Sequence, residues 1–275
     1  MKFFAALQAL LPQHHLSRAA GWLGHLETPR WLKTMLIKAF MNSYNVSLAD
    51  AKIEHPDDFP HFNAFFTRAL KDTARPLAAN RFVMPADGEL SQRGPIADGL
   101  MIQAKGRYYT ANALLGGDSV AANALENGSF ATIYLSPRDY HRIHMPTTGT
   151  LRRTCYIPGD LFAVNKSTAQ TVDQLFARNE RLVCYFDTAN GPLVLVLVGA
   201  IIVAGIETVW GGVEAPSPKT IRETVWNDDD APTFAAGDEV GRFFLGSTVI
   251  ILTSEQLNWA VEAGASVQVK AELAD

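Results

Sequence analysis

An α+β fold, helical at its start and β-rich through the rest, follows from three observations in the sequence. Apolar side chains recur at helical spacing through the first 45 residues. From about Val83 onward the apolar runs become short or alternating, and Gly, Pro, Asn and Asp separate them. The most apolar stretch, Leu193 to Ile206, has 14 residues broken by Gly199 and Gly205, where a helix crossing a bilayer needs about 20. A chain of 275 residues can bury a core of one large domain or two small ones.

Pro12 and the Thr28-Pro29 pair divide residues 1–45 into about three helices. Phe3, Phe4, Leu7, Leu10 and Leu11 line one face of the first, and Leu16, Ala19, Ala20, Leu23 and Leu26 that of the second. Pro29 suits the first helical position of the third, behind a Thr28 cap. That helix offers Trp31, Leu32, Met35, Leu36 and Phe40 as its apolar side, with Lys33 and Lys38 elsewhere. Trp22 and Trp31 are side chains suited to a membrane interface, although packing on the protein's own core is an equal reading for any one helix. Residues 46–80 read as a charged, proline-containing connector with a short helix over Phe62 to Leu70. Residues 81–275 form the β-rich body, with strands at Ala131 to Leu135, Leu151 to Ile157, Leu182 to Phe186 and Val249 to Leu252. Leu193 to Ile206 reads as two buried strands joined by a bend.

With 48% hydrophobic and 19% charged residues the chain is globular, and its net charge of −4 gives no reason to expect nucleic acid. The charge is unevenly spread. Lys2, Arg18, Arg30, Lys33 and Lys38 face Glu27 alone within residues 1–49, so a basic leader precedes an acidic body. Cys155 and Cys184 read as reduced, buried thiols of a cytosolic protein. The N-terminus lacks a short apolar core followed by a small-residue cleavage site, which argues against secretion.

Three stretches carry side chains suited to chemistry. Met84-Pro85-Ala86-Asp87-Gly88 sets an aspartate in a Pro/Gly-framed turn, which by itself suits an ordinary turn residue. Tyr134 to Pro146 concentrates His141, His144, two arginines, an aspartate and two tyrosines. The histidine spacing would suit a metal on a helix, but Pro137 and Pro146 bracket the run and no third ligand has matching spacing. Buried structural histidines and acid–base work remain as readings. Gly246-Ser247-Thr248 lies between Phe243-Phe244-Leu245 and Val249 to Leu252. A glycine there tolerates the strained backbone that attack by the neighbouring serine needs, and Ser247 is a nucleophile only if a base serves it.

In order along the chain, these blocks together with Phe62-Asn63 through Arg68, Arg75-Pro76, Gln103 to Gly106, Pro158 to Phe162, Phe176 to Arg181, Glu207 to Trp210 and Leu245 to Thr248 closely resemble the bacterial phosphatidylserine decarboxylases. The resemblance implies a barrel-like sandwich for the body and a proenzyme that cuts itself between Gly246 and Ser247, giving a β chain 1–246 and an α chain 247–275. In that scheme Ser247 attacks the Gly246 carbonyl, with His144 as base and Asp87 orienting it. Ser247 ends as a covalent pyruvoyl group that forms a Schiff base with the substrate amine and draws in its electrons as carbon dioxide leaves. His141 is the candidate acid/base of decarboxylation, and Tyr134, Phe162 and Val164 are candidate substrate-pocket residues. No metal is expected. The partners implied are phosphatidylserine and an anionic phospholipid membrane, met peripherally from the cytoplasmic face, and the α and β chains as a heterodimer; a homodimer stays open. The rival readings are a pyruvoyl decarboxylase of a soluble amino acid, against which the basic amphipathic leader speaks, and a non-catalytic lipid-binding relative, against which Asp87, His144 and Ser247 together speak.

Overall fold

The most hydrophobic run of the sequence is shared between two sheets. In the computed structural model, which describes residues 13–27, 29–201, 205–215, 220–244 and 246–275, Gly191–Val198 is an inner strand of a nine-stranded sheet, and Gly205–Thr208 belongs to a four-stranded one. Full burial on both faces explains why the first of these strands alternates valine and leucine rather than apolar and polar residues. Among the described residues the large sheet runs Arg222–Val225, Gly149–Ile157, Arg181–Thr188, Gly191–Val198, Ser247–Thr253, Ser129–Leu135, Gly88–Pro95, Ser266–Val267, with Thr233–Phe234 also paired to Gly149–Ile157. The small sheet runs Gly212–Ala215, Gly205–Thr208, Glu239–Phe244, Arg142–His144. All these pairings are antiparallel.

The two sheets face one another across an apolar layer. Leu135, Leu197, Val249 and Ile251 enter it from the large sheet, and Ile143, Ile206 and Phe243 from the small one. The opposite face of the large sheet, carrying Val196, Val198, Ile250 and Leu252, is covered by the Leu100–Ala104/Arg107–Thr110 hairpin and by short helices. The fold is therefore α+β with a β-rich body.

The chain also crosses between the sheets immediately before Ser247. Glu239–Phe244 lies in the small sheet and Ser247–Thr253 in the large one, with Gly246 at the corner. Gly246 has φ +57°, a conformation a side chain resists, while a Cβ there would meet nothing within 4 Å. Backbone angle, not space, is what selects glycine at this corner.

At the N-terminal side, helices Gln13–Gly24 and Arg30–Tyr44 pack against the short helix Phe62–Phe66. Several details differ from the sequence reading. The Phe62 helix ends at Phe66 rather than Leu70, because Thr67 closes it by bonding back to the Asn63 carbonyl and Arg68 turns away to other acceptors. Pro29 is an extended cap, not the first helical residue. The expected apolar side of the Arg30–Tyr44 helix is split, Phe40 packing inward against Phe62, Phe65 and Phe66. Lys33 and Ile37 are buried, Lys33 Nζ donating to the Asp57 and Phe59 carbonyls, whereas Trp31, Met35 and Leu36 point outward. Cys184 is buried, but Cys155 is only half-buried, and the two thiols are free. The apolar face expected for residues 3–11 lies outside the described residues, as does Thr28.

Candidate active site

The Pro85-Ala86-Asp87-Gly88 turn enters the large sheet beside the strand that carries Tyr134. Gly88 has φ +152°, and a Cβ on it would lie 2.3 Å from the Tyr134 carbonyl oxygen, so only glycine admits this approach. The His144 amide donates to the Pro85 carbonyl at 2.8 Å, bringing the aspartate turn and the second histidine side by side through their backbones.

Their side chains have other partners. Asp87 is buried, and its Oδ1 accepts from the Val269 amide at 2.8 Å and from Arg75 Nε at 3.3 Å, while Oδ2 accepts from Arg75 Nη2 at 2.8 Å. Arg75 extends to Asp50 Oδ2 through Nη1, also at 2.8 Å. Burial works against the Arg75 charge, but its bonds to Asp87 and Asp50 prevail and hold its pKa above the ordinary arginine value.

His144 Nδ1 lies 2.8 Å from the Gly237 carbonyl, and Nε2 lies 3.0 Å from Tyr140 Oη. A carbonyl only accepts, so Nδ1 carries the proton and Nε2 accepts from the tyrosine hydroxyl. Burial lowers the His144 pKa, partly offset by the Gly237 bond, and burial raises that of Tyr140. A polar cavity of about 180 Å³ opens against Tyr140, Arg142, His144, Glu239 and Lys270.

His141 precedes the Arg142–His144 strand and is fully buried, its ring centre 4.0 Å from that of Phe66. Nδ1 donates to the Asp139 carbonyl at 2.8 Å, which leaves Nε2 as an unprotonated nitrogen without a hydrogen-bond partner among the described residues. Burial, reinforced by the nearby Arg68 charge, pushes its pKa down to about 3 against the Asp139 bond. It stands as a neutral imidazole with an open lone pair.

Ser247 begins the Ser247–Thr253 strand opposite Leu135. Side chains alternate along a strand, so Ser247 shares the inter-sheet face with Val249 and Ile251, and Thr248 faces the other way with Tyr134 and Val198. Ser247 is fully buried, and its Oγ has no hydrogen-bond partner among the described residues. The geometry thus gathers Asp87 with His144, and His141 with the approach to Gly246, since the Phe243 amide donates to the His141 carbonyl at 2.9 Å. No continuous hydrogen-bonded chain links Asp87, His144 and Ser247: the carboxylate is engaged by Arg75 and Val269, and the imidazole by Gly237 and Tyr140.

Tyr134 and Val164 line one cavity of about 300 Å³, together with Gln103, Lys105 and Phe176, on the Thr248 side of the sheet. Phe162 does not line it; it packs in the same apolar layer, with Arg178 4.8 Å above its ring. Sequence reasoning overlooked the roles of Arg75, Tyr140, Gly237 and Arg68. Tyr140 adjoins His141 and was within reach, whereas Gly237 contributes only a carbonyl that no side-chain pattern announces. Among the described residues, no group of three His, Cys, Asp or Glu side chains is arranged to hold a metal ion.

The family model described as phosphatidylserine decarboxylase matches residues 62–274, and a second, described as PSD, matches residues 3–45. A phosphatidylserine decarboxylase proenzyme of Alcanivorax borkumensis is 53% identical, with 99% of this chain and 95% of that protein covered. Its namesake in Azotobacter vinelandii is 52% identical over 94% of this chain and 92% of its own length. A third, from Pseudomonas fluorescens, is 50% identical over 98% and 95%. Near-complete coverage at this identity, with the Asp87 turn, both histidines and Ser247 inside the matched span, leads to one conclusion: the chain belongs to the phosphatidylserine decarboxylase family.

Proposed function

We propose that this chain is a self-processing decarboxylase that converts phosphatidylserine to phosphatidylethanolamine and carbon dioxide, using a pyruvoyl group made from its own Ser247. The observation that carries the reading is the state of that serine: wholly buried, its Oγ without a partner, directly after a glycine held at φ +57° on a corner between sheets. An unsatisfied buried hydroxyl is costly and calls for a use. A serine so placed fits the origin of a pyruvoyl group.

In processing, Ser247 Oγ attacks the Gly246 carbonyl carbon, the peptide C–N bond breaks, and an ester forms in its place. His144 takes the hydroxyl proton on Nε2, for which it exchanges Tyr140 for Ser247, and passes it to the leaving nitrogen. Asp87 orients the ring by replacing the Gly237 carbonyl on Nδ1. Loss of the Cα proton and cleavage of the Cβ–Oγ bond then free Gly246 as a carboxylate, and water releases ammonia to leave the pyruvoyl group at the new N-terminus. When formed, that group supplies the electron sink for carbon dioxide loss. His141, neutral with an open Nε2, takes there the proton that the substrate's ammonium group gives up and returns it to the substrate's α-carbon after carbon dioxide leaves. Tyr134 and Val164 line the recess that takes part of the lipid, and Phe162 packs in the apolar layer beside it.

The substrate's chains stay in a bilayer, so the enzyme works as a peripheral protein at the cytoplasmic face of the cell membrane. Among the described residues no helix is long and apolar enough to cross a membrane. Docking by the leader is supported by Trp22 and Trp31, each 67% exposed, and by the outward Leu23, Met35 and Leu36. The test is intact mass: active protein should consist of fragments 1–246 and 247–275, and Ser247→Ala should stay whole. An active enzyme with an unbroken 246–247 bond would refute the reading.

A further inference from the structure

Arg68 is a buried guanidinium with an unfilled side. It is 7% exposed, and its hydrogen bonds to described residues run from Nη2 alone, to the Arg138 carbonyl at 3.1 Å and the Asp139 carbonyl at 3.5 Å. Arg181 shows what a satisfied buried arginine looks like in this fold: its Nε, Nη1 and Nη2 donate to the carbonyls of Leu114, Asn179 and Ala113. The acids whose fields reach Arg68 are committed elsewhere. Asp87 is taken by Arg75 and Val269, and Asp139 Oδ2 by the Ser136 amide and hydroxyl, both at 2.7 Å. Buried cations are ordinarily paired, and this one has no carboxylate within 4 Å among the described residues.

The position of Arg68 says which anion it awaits. The chain on either side of Gly246 is pinned to a single stretch: the Phe243 amide bonds the His141 carbonyl, and Ser247 pairs with Leu135. Between Leu135 and His141 lies the tight turn closed by Asp139 N to Ser136 O at 3.0 Å, and its Arg138 and Asp139 carbonyls are the ones Arg68 holds. His141 Nδ1 shares the Asp139 oxygen with Arg68. Gly246 is thus confined beside the turn on which the guanidinium rests. The exposed Arg138, 3.8 Å from Asp139 Oδ1, is the other cation of this turn.

We infer that Arg68 is the receiving site for the carboxylate that self-cleavage creates at Gly246. The inference rests on the processing reading given above. In that reaction the ester's Cβ–Oγ electron pair leaves with the oxygen, so Gly246 acquires both carboxylate oxygens, its own carbonyl oxygen and the former Ser247 Oγ. The anion forms at a half-buried corner, next to a fully buried Ser247, on the chain pinned to the turn whose carbonyls Arg68 holds. A guanidinium fork matches a carboxylate in two parallel charge-assisted bonds. Seating the severed end there keeps it from drifting across the newly formed group.

The test uses processed protein exposed to a carboxypeptidase, with the mass of the larger fragment followed in time. Wild type should keep Gly246, whereas Arg68→Gln should lose Gly246 and Leu245 at least tenfold faster, and Arg68→Lys should fall between. Equal trimming of wild type and variants overturns the inference while leaving self-cleavage intact; if Arg68→Gln also raises KM for lipid, the guanidinium belongs to the substrate's phosphodiester instead. A wild-type chain that stays whole at 246–247 overturns the processing reading and this inference with it. Should Arg68→Gln fail to process, wild type labelled with 13C at glycine carbonyls decides alone. A C-terminal carboxylate paired with Arg68 should stay ionised as pH falls through the ordinary range of about 3.3–3.7, and a midpoint inside that range would overturn the assignment.

Discussion

Two histidines three residues apart occupy different electrostatic situations, and in the proposed scheme that difference separates their roles. His144 borders a polar cavity with both nitrogens bonded, while His141 is sealed beneath Phe66 with Nε2 open. His144→Ala and Asp87→Asn should therefore accumulate uncleaved chain, the latter because a neutral amide no longer offsets the charge His144 gains as it takes the Ser247 proton. His141→Ala should still cleave but turn over poorly; gel analysis of processing beside lipid turnover checks both. The burial of His141 also carries a pH signature. Its folded pKa lies at about 3 and the ordinary value is 6.5, so only the unfolded chain takes up a proton as pH falls below 6.5. The stability from keeping His141 neutral is present in full above pH 6.5 and is lost progressively down to pH 3, at up to about 1.4 kcal/mol per pH unit. Denaturant unfolding of the uncleaved Ser247→Ala protein should show this acid limb, shallower in Ser247→Ala/His141→Gln and retaining the part due to His144. An unchanged slope would mean that His141 titrates normally. At this scale the sequence exposed the side chains but not their partners: Asp87 was visible in its turn, whereas Arg75, 12 residues away, becomes its partner only through the fold.

The two glycines of the site do different work in their elements, and substitution should separate them. Gly88 faces a carbonyl at 2.3 Å, so Gly88→Ala must push two paired strands apart, while Gly246→Ala meets open space and faces only the left-handed backbone cost of about 1–2 kcal/mol. Thermal melting of uncleaved forms should place Gly88→Ala well below Gly246→Ala, and the order reversed would contradict the strand pairing. In the leader, apolar periodicity found the Arg30–Tyr44 helix but not how its apolar side divides between core and surface. Hydrophobicity cannot reveal that Lys33 finds two backbone carbonyls inside, nor that Trp31 and Met35 are left outside. That division sharpens the membrane reading. Trp31→Ser/Met35→Ser should reduce binding to anionic vesicles while changing stability by no more than about 0.5 kcal/mol. The remaining electrostatic part should weaken with added salt, since each cation near an anionic surface contributes about 1 kcal/mol. Undiminished vesicle binding would remove this face from the docking surface. The body was easier to read: runs such as Val249 to Leu252 must be strands buried on both faces, and the glycine-marked bend in Leu193 to Ile206 is where the chain changes sheets.

The sequence did not reveal the position of the scissile bond within the molecule as a whole, because a local run cannot announce that it joins two sheets. The proposed cut falls at a corner, yet the strands on its C-terminal side are woven into the body. Ser247–Thr253 is paired on both edges, to Gly191–Val198 and Ser129–Leu135, and buried along its whole length. Ser266–Val267 pairs with the strand after Asp87, and Glu272–Ala274 with Phe82–Val83. The Val269 amide holds Asp87, and the Asp275 carboxylate accepts from Asn80 and from the Arg81 amide. Cleavage removes one peptide bond and none of these contacts. The fragments 1–246 and 247–275 should therefore co-elute as one species on size exclusion in native buffer and separate only in denaturant. Because the small fragment supplies a central strand, it should not be replaceable by dilution or exchange: isotopically labelled 247–275 added to processed protein should not enter it without unfolding. Exchange under native conditions would mean that the Ser247–Thr253 ladder is not what holds the processed enzyme together.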